Sequence, residues 1–255
     1  MNPSLLEVKN LAMHFGGLHA VDGVDFEVQR GEILGLLGPN GAGKTVTFNL
    51  ISGVYKPTSG EIWFDGKRVD GLPPQVIAAL GLGRTFQIVK PFPTLTVLEN
   101  VLVARGVTRY PVSSCLWTSW KSHKEARAAL ALLDRVGLAD LASRKAGLLP
   151  LGHLRRLEIA RALAVGHKLL LLDESFSGLR HEEIAQLEAL IRTIRQDGIT
   201  VLLIEHNMRV SMNLCDRIVV MEYGKKLAEG PPAVIQQDER VIEAYLGRKG
   251  EANAS

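Results

Sequence analysis

The stretch GPNGAGKT, residues 38–45, restricts this chain more than any other. It fits G-x-x-x-x-G-K-[ST] at every defined position, the apolar run ILGLL leads into it, and Thr45 to Ser52 has the composition of a helix. Such a loop works only where a buried strand hands over to a helix N-terminus. The run Gly38, Pro39, Asn40, Gly41, Ala42, Gly43 can curl its backbone N–H groups around phosphate oxygens. Lys44 then reaches the terminal phosphates, and the Thr45 hydroxyl is placed to ligate Mg²⁺. The chain therefore carries a nucleotide site. A P-loop alone does not separate kinases, GTPases and motor-type ATPases.

The rest of the pattern predicts an α/β fold with a mostly parallel sheet. Residues 5–37 read as short strands with turns, and GEIWFDG as a strand entering a turn. LTVLENVLVA and KEARAALALLDRVGL have apolar positions three and four apart, so the middle of the chain reads as an inserted helical subdomain. Between them TRYPVSSCLWTSW reads as a surface loop. Strands return at KLLLLDE, TVLLIEH and DRIVVME, with a helix between the first two in which Ile184, Leu187, Ile191 and Ile194 share a face.

Strand ends narrow the chemistry. LLLLDE finishes in Asp173, a carboxylate for the Mg²⁺ shell, and Glu174, placed to polarise an attacking water. TVLLIEH ends in His206, at the carboxyl end of a core strand where ligands of open α/β sheets bind. His14, His19, His123, His153, His167 and His181 read as surface or satisfied histidines. His181-Glu182 opens like HExxH, but Ala185 stands at the second histidine position, which excludes a zinc protease. GLGRTF lacks the third glycine of a dinucleotide fingerprint, which leaves Gln87 as the residue of interest there.

Other classes are disfavoured. A net charge of +3, spread along the chain, argues against nucleic acid as the main partner. The two cysteines, Cys115 and Cys215, fit a reducing compartment rather than a disulfide framework. Glu7 and Lys9 interrupt any signal-peptide core, and no apolar run approaches the ~20 residues that span a bilayer. A membrane role is expected to come through a partner.

Taken together, FGGLHAVDGVDFEV, GPNGAGKT, GLGRTFQ, RRLEIARAL, LLIEHNM and VIEAYLG resemble the ATP-binding subunits of ABC transporters over nearly the whole chain. Within them the chain is similar to the branched-chain amino acid importer ATPases of the LivG type. The resemblance implies a P-loop (RecA-like) core with an N-terminal antiparallel β subdomain and an inserted helical subdomain. One such domain is expected over 5–250, with core segments 5–88 and 155–250, a helical segment 89–154 and a polar tail 251–255. It implies Phe15 stacking on adenine with Val21 nearby, and Gln87 sensing Mg²⁺ and the attacking water. Glu174 would be the catalytic glutamate and His206 the γ-phosphate switch. A coupling helix would dock near Phe92, Pro93 and Leu95.

Implied partners are a second ATPase subunit, head-to-tail in a homo- or heterodimer, and membrane permease subunits. A solute-binding protein would act indirectly, and nucleic acid would not be a partner. ATP and Mg²⁺ are the implied ligands, at the cytoplasmic face of the cell membrane. Amides or urea as cargo, a non-hydrolysing heterodimer partner and a soluble non-transport ATPase remain alternatives.

Four positions depart from the family pattern. Val46 replaces a second threonine, which removes a hydroxyl near the α-phosphate while backbone contacts remain. Ser175 stands where proline is frequent, a change expected to alter only loop stiffness. Arg180 takes the place of Asn or Asp in the loop that links paired sites. The signature Leu-Ser-Gly-Gly-Gln falls on Leu149 to His153, where Pro150 lacks the hydroxyl. There Leu151 and Gly152, with the amides of 151–153, would face the partner's ATP. The following Arg155-Arg156 pair suggests a loop that touches a ligand, at the entrance to a helix whose apolar positions surround its axis.

Overall fold

The computed structural model describes residues 4–87, 90–109 and 123–246. In chain order its elements begin with β1 (Ser4–Phe15), β2 (Leu18–Gln29), β3 (Ile33–Leu37), α1 (Lys44–Ile51), β4 (Ser59–Phe64) and β5 (Lys67–Arg68). Next come α2 (Pro74–Ala79), β6 (Leu82–Arg84), α3 (Val97–Arg109), α4 (His123–Arg135), α5 (Leu151–Val165), β7 (Leu169–Asp173) and α6 (His181–Gln196). The chain ends with β8 (Thr200–Ile204), α7 (Met208–Leu214), β9 (Arg217–Glu222), β10 (Lys225–Gly230), α8 (Pro232–Ile235) and α9 (Glu239–Leu246). The loop expected over TRYPVSSCLWTSW falls almost wholly outside the described residues, as do Cys115 and the tail 251–255.

The chain divides into two compact units, 1–74 with 195–255, and 75–194. The first holds an antiparallel sheet in the order β2-β1-β4-β5. Beside it β3 pairs in parallel with β8 and β9, and β10 joins β9 antiparallel. ILGLL and TVLLI are buried at every position, which is why they read as continuous apolar runs rather than as alternation.

Residues 5–37 were expected to form short strands, yet β1 and β2 are twelve residues each. The reason is irregular pairing. Register shifts interrupt β1 against β2 four times, and Asn10 sits at φ 45 with its N–H donated to the Asp25 carboxylate. Each shift resets the inside–outside alternation, so one long strand reads as several short ones.

In the second unit β6 and β7 pair in parallel, and α3, α4 and β6 pack around α5. Contacts on several sides explain the apolar positions all around α5; Leu157, Ile159, Ala160, Ala162 and Leu163 are buried together. Helix α6 buries Leu187, Ile191 and Ile194, the face expected from sequence, with Ile184 half-buried. The architecture is the expected α/β one, with parallel core strand pairs and an antiparallel N-terminal sheet. Helix α2 and strands β6 and β10 had no distinct sequence signal.

Candidate nucleotide-binding and hydrolysis site

In the first unit the glycine loop joins β3 to α1. Gly43 precedes α1 at φ 98, and a Cβ there would lie 2.3 Å from the Ala20 carbonyl. Gly38, at φ 149, is held as tightly, since its Cβ would meet the Met221 carbonyl at 2.2 Å. Neither position admits a side chain, so the glycines fix the curl as well as permit it. Lys44 is buried, and its Nζ donates to the carbonyls of Gly38 (2.7 Å) and Pro39 (2.9 Å). The ammonium is thus drawn into the loop. No side chain caps α1, so its first-turn amides suit an anionic oxygen. Thr45 is exposed, and beneath it buried Thr47 donates from its hydroxyl to the Gly43 carbonyl at 3.0 Å.

Phe15 ends β1 at 44% exposure, with the Tyr55 ring edge-on at 5.7 Å. Phe15 is therefore partly open to solvent. Val21 is fully buried in β2 and supports the hairpin from inside. His206 lies exposed two residues beyond β8, just before Asn207, whose side chain caps α7 by accepting from the Val210 amide. Sequence reasoning missed Tyr245. Its hydroxyl accepts the Gly38 N–H at 2.8 Å, so the C-terminal helix α9 holds the first amide of the glycine loop. Burial pushes the Tyr245 phenol above its ordinary pKa and keeps it neutral.

The second unit holds the carboxylates. Asp173 ends β7 almost fully buried, and its Oδ2 accepts from Arg84 Nη2 at 3.1 Å. Burial lowers the Arg84 pKa and the Asp173 charge opposes that shift, so the two side chains form a buried ion pair. Glu174 follows at φ 47, a conformation that costs a non-glycine residue of order 1–3 kcal/mol. That backbone turns its side chain so that Oε2 accepts from Gln87 Nε2 at 2.9 Å. Thr85 and Ser175, both buried, bring their hydroxyl oxygens within 3.2 Å. Ser175 therefore does more than loosen the loop, because a proline would remove this contact.

The Arg155-Arg156 pair does not face a ligand. Arg155 is 5% exposed and braces backbone instead. Its Nη1 donates to the Gln87 carbonyl at 3.1 Å and to the Phe86 carbonyl at 3.5 Å, and its Nη2 donates to the Ser177 carbonyl at 3.4 Å. It pairs with Glu158, whose Oε1 accepts the Phe86 N–H at 3.0 Å. Chiefly through burial, the Glu158 pKa is raised. Arg155 and Glu158 thus hold both sides of Gln87 onto α5. Arg156 instead bonds Gln186.

Pro150 caps α5 at φ −66, and both the His153 and Leu154 amides donate to its carbonyl at 3.0 Å. Of the three amides expected to face a partner's phosphate, that of His153 is engaged within the turn. Gly152 packs against Glu183, whose Oε1 would lie 2.6 Å from a Cβ there and would have to swing aside to admit one. Glu183 also accepts the Arg180 N–H at 2.9 Å, while the Arg180 side chain is 86% exposed. Burial, with Arg156 adding to it, lowers the His153 pKa, so this ring is neutral at pH 7. Phe86, Phe92, Leu148 and Leu151 expose apolar surface in this unit, and Arg161 lies 5.1 Å over the Phe92 ring. Among the described residues no helix is long and apolar enough to cross a membrane.

Comparison with known proteins matches residues 21–177 to the ABC transporter family and residues 225–251 to the branched-chain amino acid ATP-binding cassette transporter family. The chain is 42% identical to the high-affinity branched-chain amino acid transport ATP-binding protein BraF of Pseudomonas aeruginosa, covering 97% of this chain and 99% of that one. It is 43% identical to LivG of Escherichia coli, the protein of the same description, with the same coverage. An ABC transporter cassette solved in its ADP conformation superposes with TM-score 0.87 at 31% identity, covering 96% of this chain and all of the other. A cassette solved as a post-hydrolysis dimer bound to ADP and Pi superposes with TM-score 0.75 at 26% identity, covering 89% and 98%. The chain belongs to the ABC transporter family of ATP-binding, ATP-hydrolysing subunits, in the branch of the branched-chain amino acid transport ATP-binding proteins.

Proposed function

We propose that this chain is the ATP-hydrolysing subunit of an importer for branched-chain amino acids, working as one of two head-to-tail ATPase subunits beneath membrane permease subunits at the cytoplasmic face of the cell membrane. A solute-binding protein would deliver cargo without touching this chain. The glycine loop and Lys44 hold the phosphates, and Phe15 stacks on adenine. Glu174 polarises the attacking water, while Gln87 and His206 orient it and the γ-phosphate. Residues 89–154 act as the helical segment that meets a permease helix, through the exposed surface around Phe92, Pro93 and Leu95.

Thr45, Gln87 and Asp173 offer only hydroxyl, amide and carboxylate oxygens, a donor set that suits Mg²⁺. When bound, the ion would neutralise charge on the phosphoryl oxygens. Direct ligation by Asp173 competes with Arg84, so a water-bridged share in the shell fits better.

The observation that carries hydrolysis over a non-hydrolysing role is Glu174, held in a costly backbone conformation with its carboxylate on Gln87. ATPase turnover of the wild-type protein against Glu174→Gln tests it. Equal turnover in both sinks the catalytic assignment. Cargo is tested by co-purifying the permease and its solute-binding protein and assaying uptake in proteoliposomes. Leucine-independent ATPase stimulation, with amides or urea effective instead, would overturn the branched-chain assignment.

A further inference from the structure

Two histidines and an aspartate of the first unit stand together outside the phosphate machinery. His14 and His19 are paired across β1 and β2, directly behind the Phe15–Leu18 pair that closes the hairpin. Their rings stack at 3.9 Å with 14° between planes. Asp22 lies three residues beyond His19, a spacing that would normally put the two on opposite faces of a strand. The register shift between Met13–Val21 and His14–His19 removes that opposition. One ligand atom from each of the three side chains lies within 4.8 Å of the others. His14 Nε2 is buried and has no hydrogen-bond partner among the described residues.

We propose that His14, His19 and Asp22 form a binding site for a divalent transition metal of the Zn²⁺ type, which clips the hairpin carrying Phe15. Two imidazoles and one carboxylate suit Zn²⁺, Co²⁺ or Ni²⁺ and disfavour Mg²⁺, which takes oxygen ligands. With metal–nitrogen bonds of about 2.0–2.1 Å, tetrahedral ligands stand about 3.4 Å apart, so the two imidazoles must turn out of their stack to aim both lone pairs at one ion. The fourth position is left to water. Lys225 Nζ, 3.2 Å from Asp22, competes for the carboxylate. Binding ties His14 and His19 together on either side of Phe15, so the metal fixes the turn that presents the ring. This coupling rests on the reading of Phe15 as the adenine platform.

The test is calorimetric titration of the tag-free, metal-stripped protein with Zn²⁺. One ion per chain is expected, weakened at least about tenfold in His14→Gln and in His19→Gln. It should be tightened in Lys225→Met and unaffected by millimolar Mg²⁺. Circular dichroism checks each fold; His19 is exposed, so His19→Gln decides the matter if His14→Gln does not fold. Co²⁺ added in place of Zn²⁺ should give visible absorption that His19→Gln loses. Zn²⁺ affinity equal in wild type and both histidine variants overturns the proposal. With Zn²⁺ bound, ATP affinity should shift at least about fivefold in wild type and not in His19→Gln. An unshifted ATP affinity keeps the metal site and overturns its coupling to the nucleotide. Phe15→Ala, measured without metal, tests the platform reading separately: unchanged ATP affinity there overturns that reading and leaves the metal site standing.

Discussion

The glycine loop of the first unit and the carboxylate cluster of the second handle charge by opposite means. The glycine loop of the first unit is built from backbone, with Lys44 alone among its side chains carrying charge, and that charge rests on two carbonyls of the same loop. In the second unit the Asp173, Arg84, Arg155 and Glu158 side chains are all buried, and each bonds a partner distant in sequence or backbone of another segment. Apart from Gly38 and Gly43, a backbone cradle tolerates side-chain change, because every residue of it but Pro39 supplies an amide. A buried charge network does not, because removing one member strands another in a low-dielectric interior. Variation should therefore reduce binding gradually at the loop's other positions and cause sharp losses in the second unit's network.

The largest effect tests that contrast at its centre. Glu174→Gln keeps the side chain's shape and its contact with Gln87 but removes the proposed base, so ATP turnover should fall by about 10²–10⁴-fold with ATP binding retained. Equilibrium nucleotide binding and single-turnover hydrolysis, measured together, separate the two. Loss of binding in step with turnover would mean that the second unit's carboxylate also builds the nucleotide site, and the contrast would fail.

Arg84→Met comes next and acts on stability rather than chemistry. It leaves the Asp173 carboxylate buried without its cation, which should cost about 3–5 kcal/mol in chemical denaturation. The double variant Arg84→Met with Asp173→Leu should recover most of that loss, because the stranded charge is gone. If the single variant unfolds at wild-type denaturant concentration, the Arg84–Asp173 pair does not stabilise the second unit.

These two cases also show what sequence could and could not reveal. GPNGAGKT was legible because its pattern is local, with glycines, lysine and threonine lying within eight residues of one another. The apolar strands were legible because full burial erases alternation. Arg84 gave no signal, since its partner lies 89 residues away and an arginine after a glycine pair reads as surface. Arg155 misled for the same reason; a basic pair at a helix start suggests a ligand, while the real partners are carbonyls 68 and 22 residues distant. Tyr245 sat inside a quoted family stretch, but only the folded chain brings its hydroxyl 207 residues back to Gly38.

Tyr245→Phe measures how forgiving the backbone cradle is. It removes one hydrogen bond to the Gly38 amide and leaves the ring, so the expected loss is about 1 kcal/mol, or roughly fivefold in the KM for ATP, with kcat nearly unchanged. A fall in kcat with KM constant would instead make α9 part of the hydrolytic step.

The smallest predicted effect lies at Pro150, where both kinds of construction meet. The loop keeps Gly152 packed against Glu183 and presents the Leu151 side of a helix N-terminus, yet the proline contributes neither a hydroxyl nor an N–H. Its φ of −66 is one serine also adopts, so Pro150→Ser should fit the turn without strain while supplying a donor toward the partner phosphate proposed to lie there. A hydroxyl hydrogen bond to a charged oxygen contributes about 1.5–3 kcal/mol when fully formed, but here it adds to amides already in place. The expected result is a rise of a few-fold in ATPase activity, seen in the assembled transporter and absent in the dilute isolated subunit. Activity that is unchanged or lower in the complex would mean that the backbone amides alone saturate this contact.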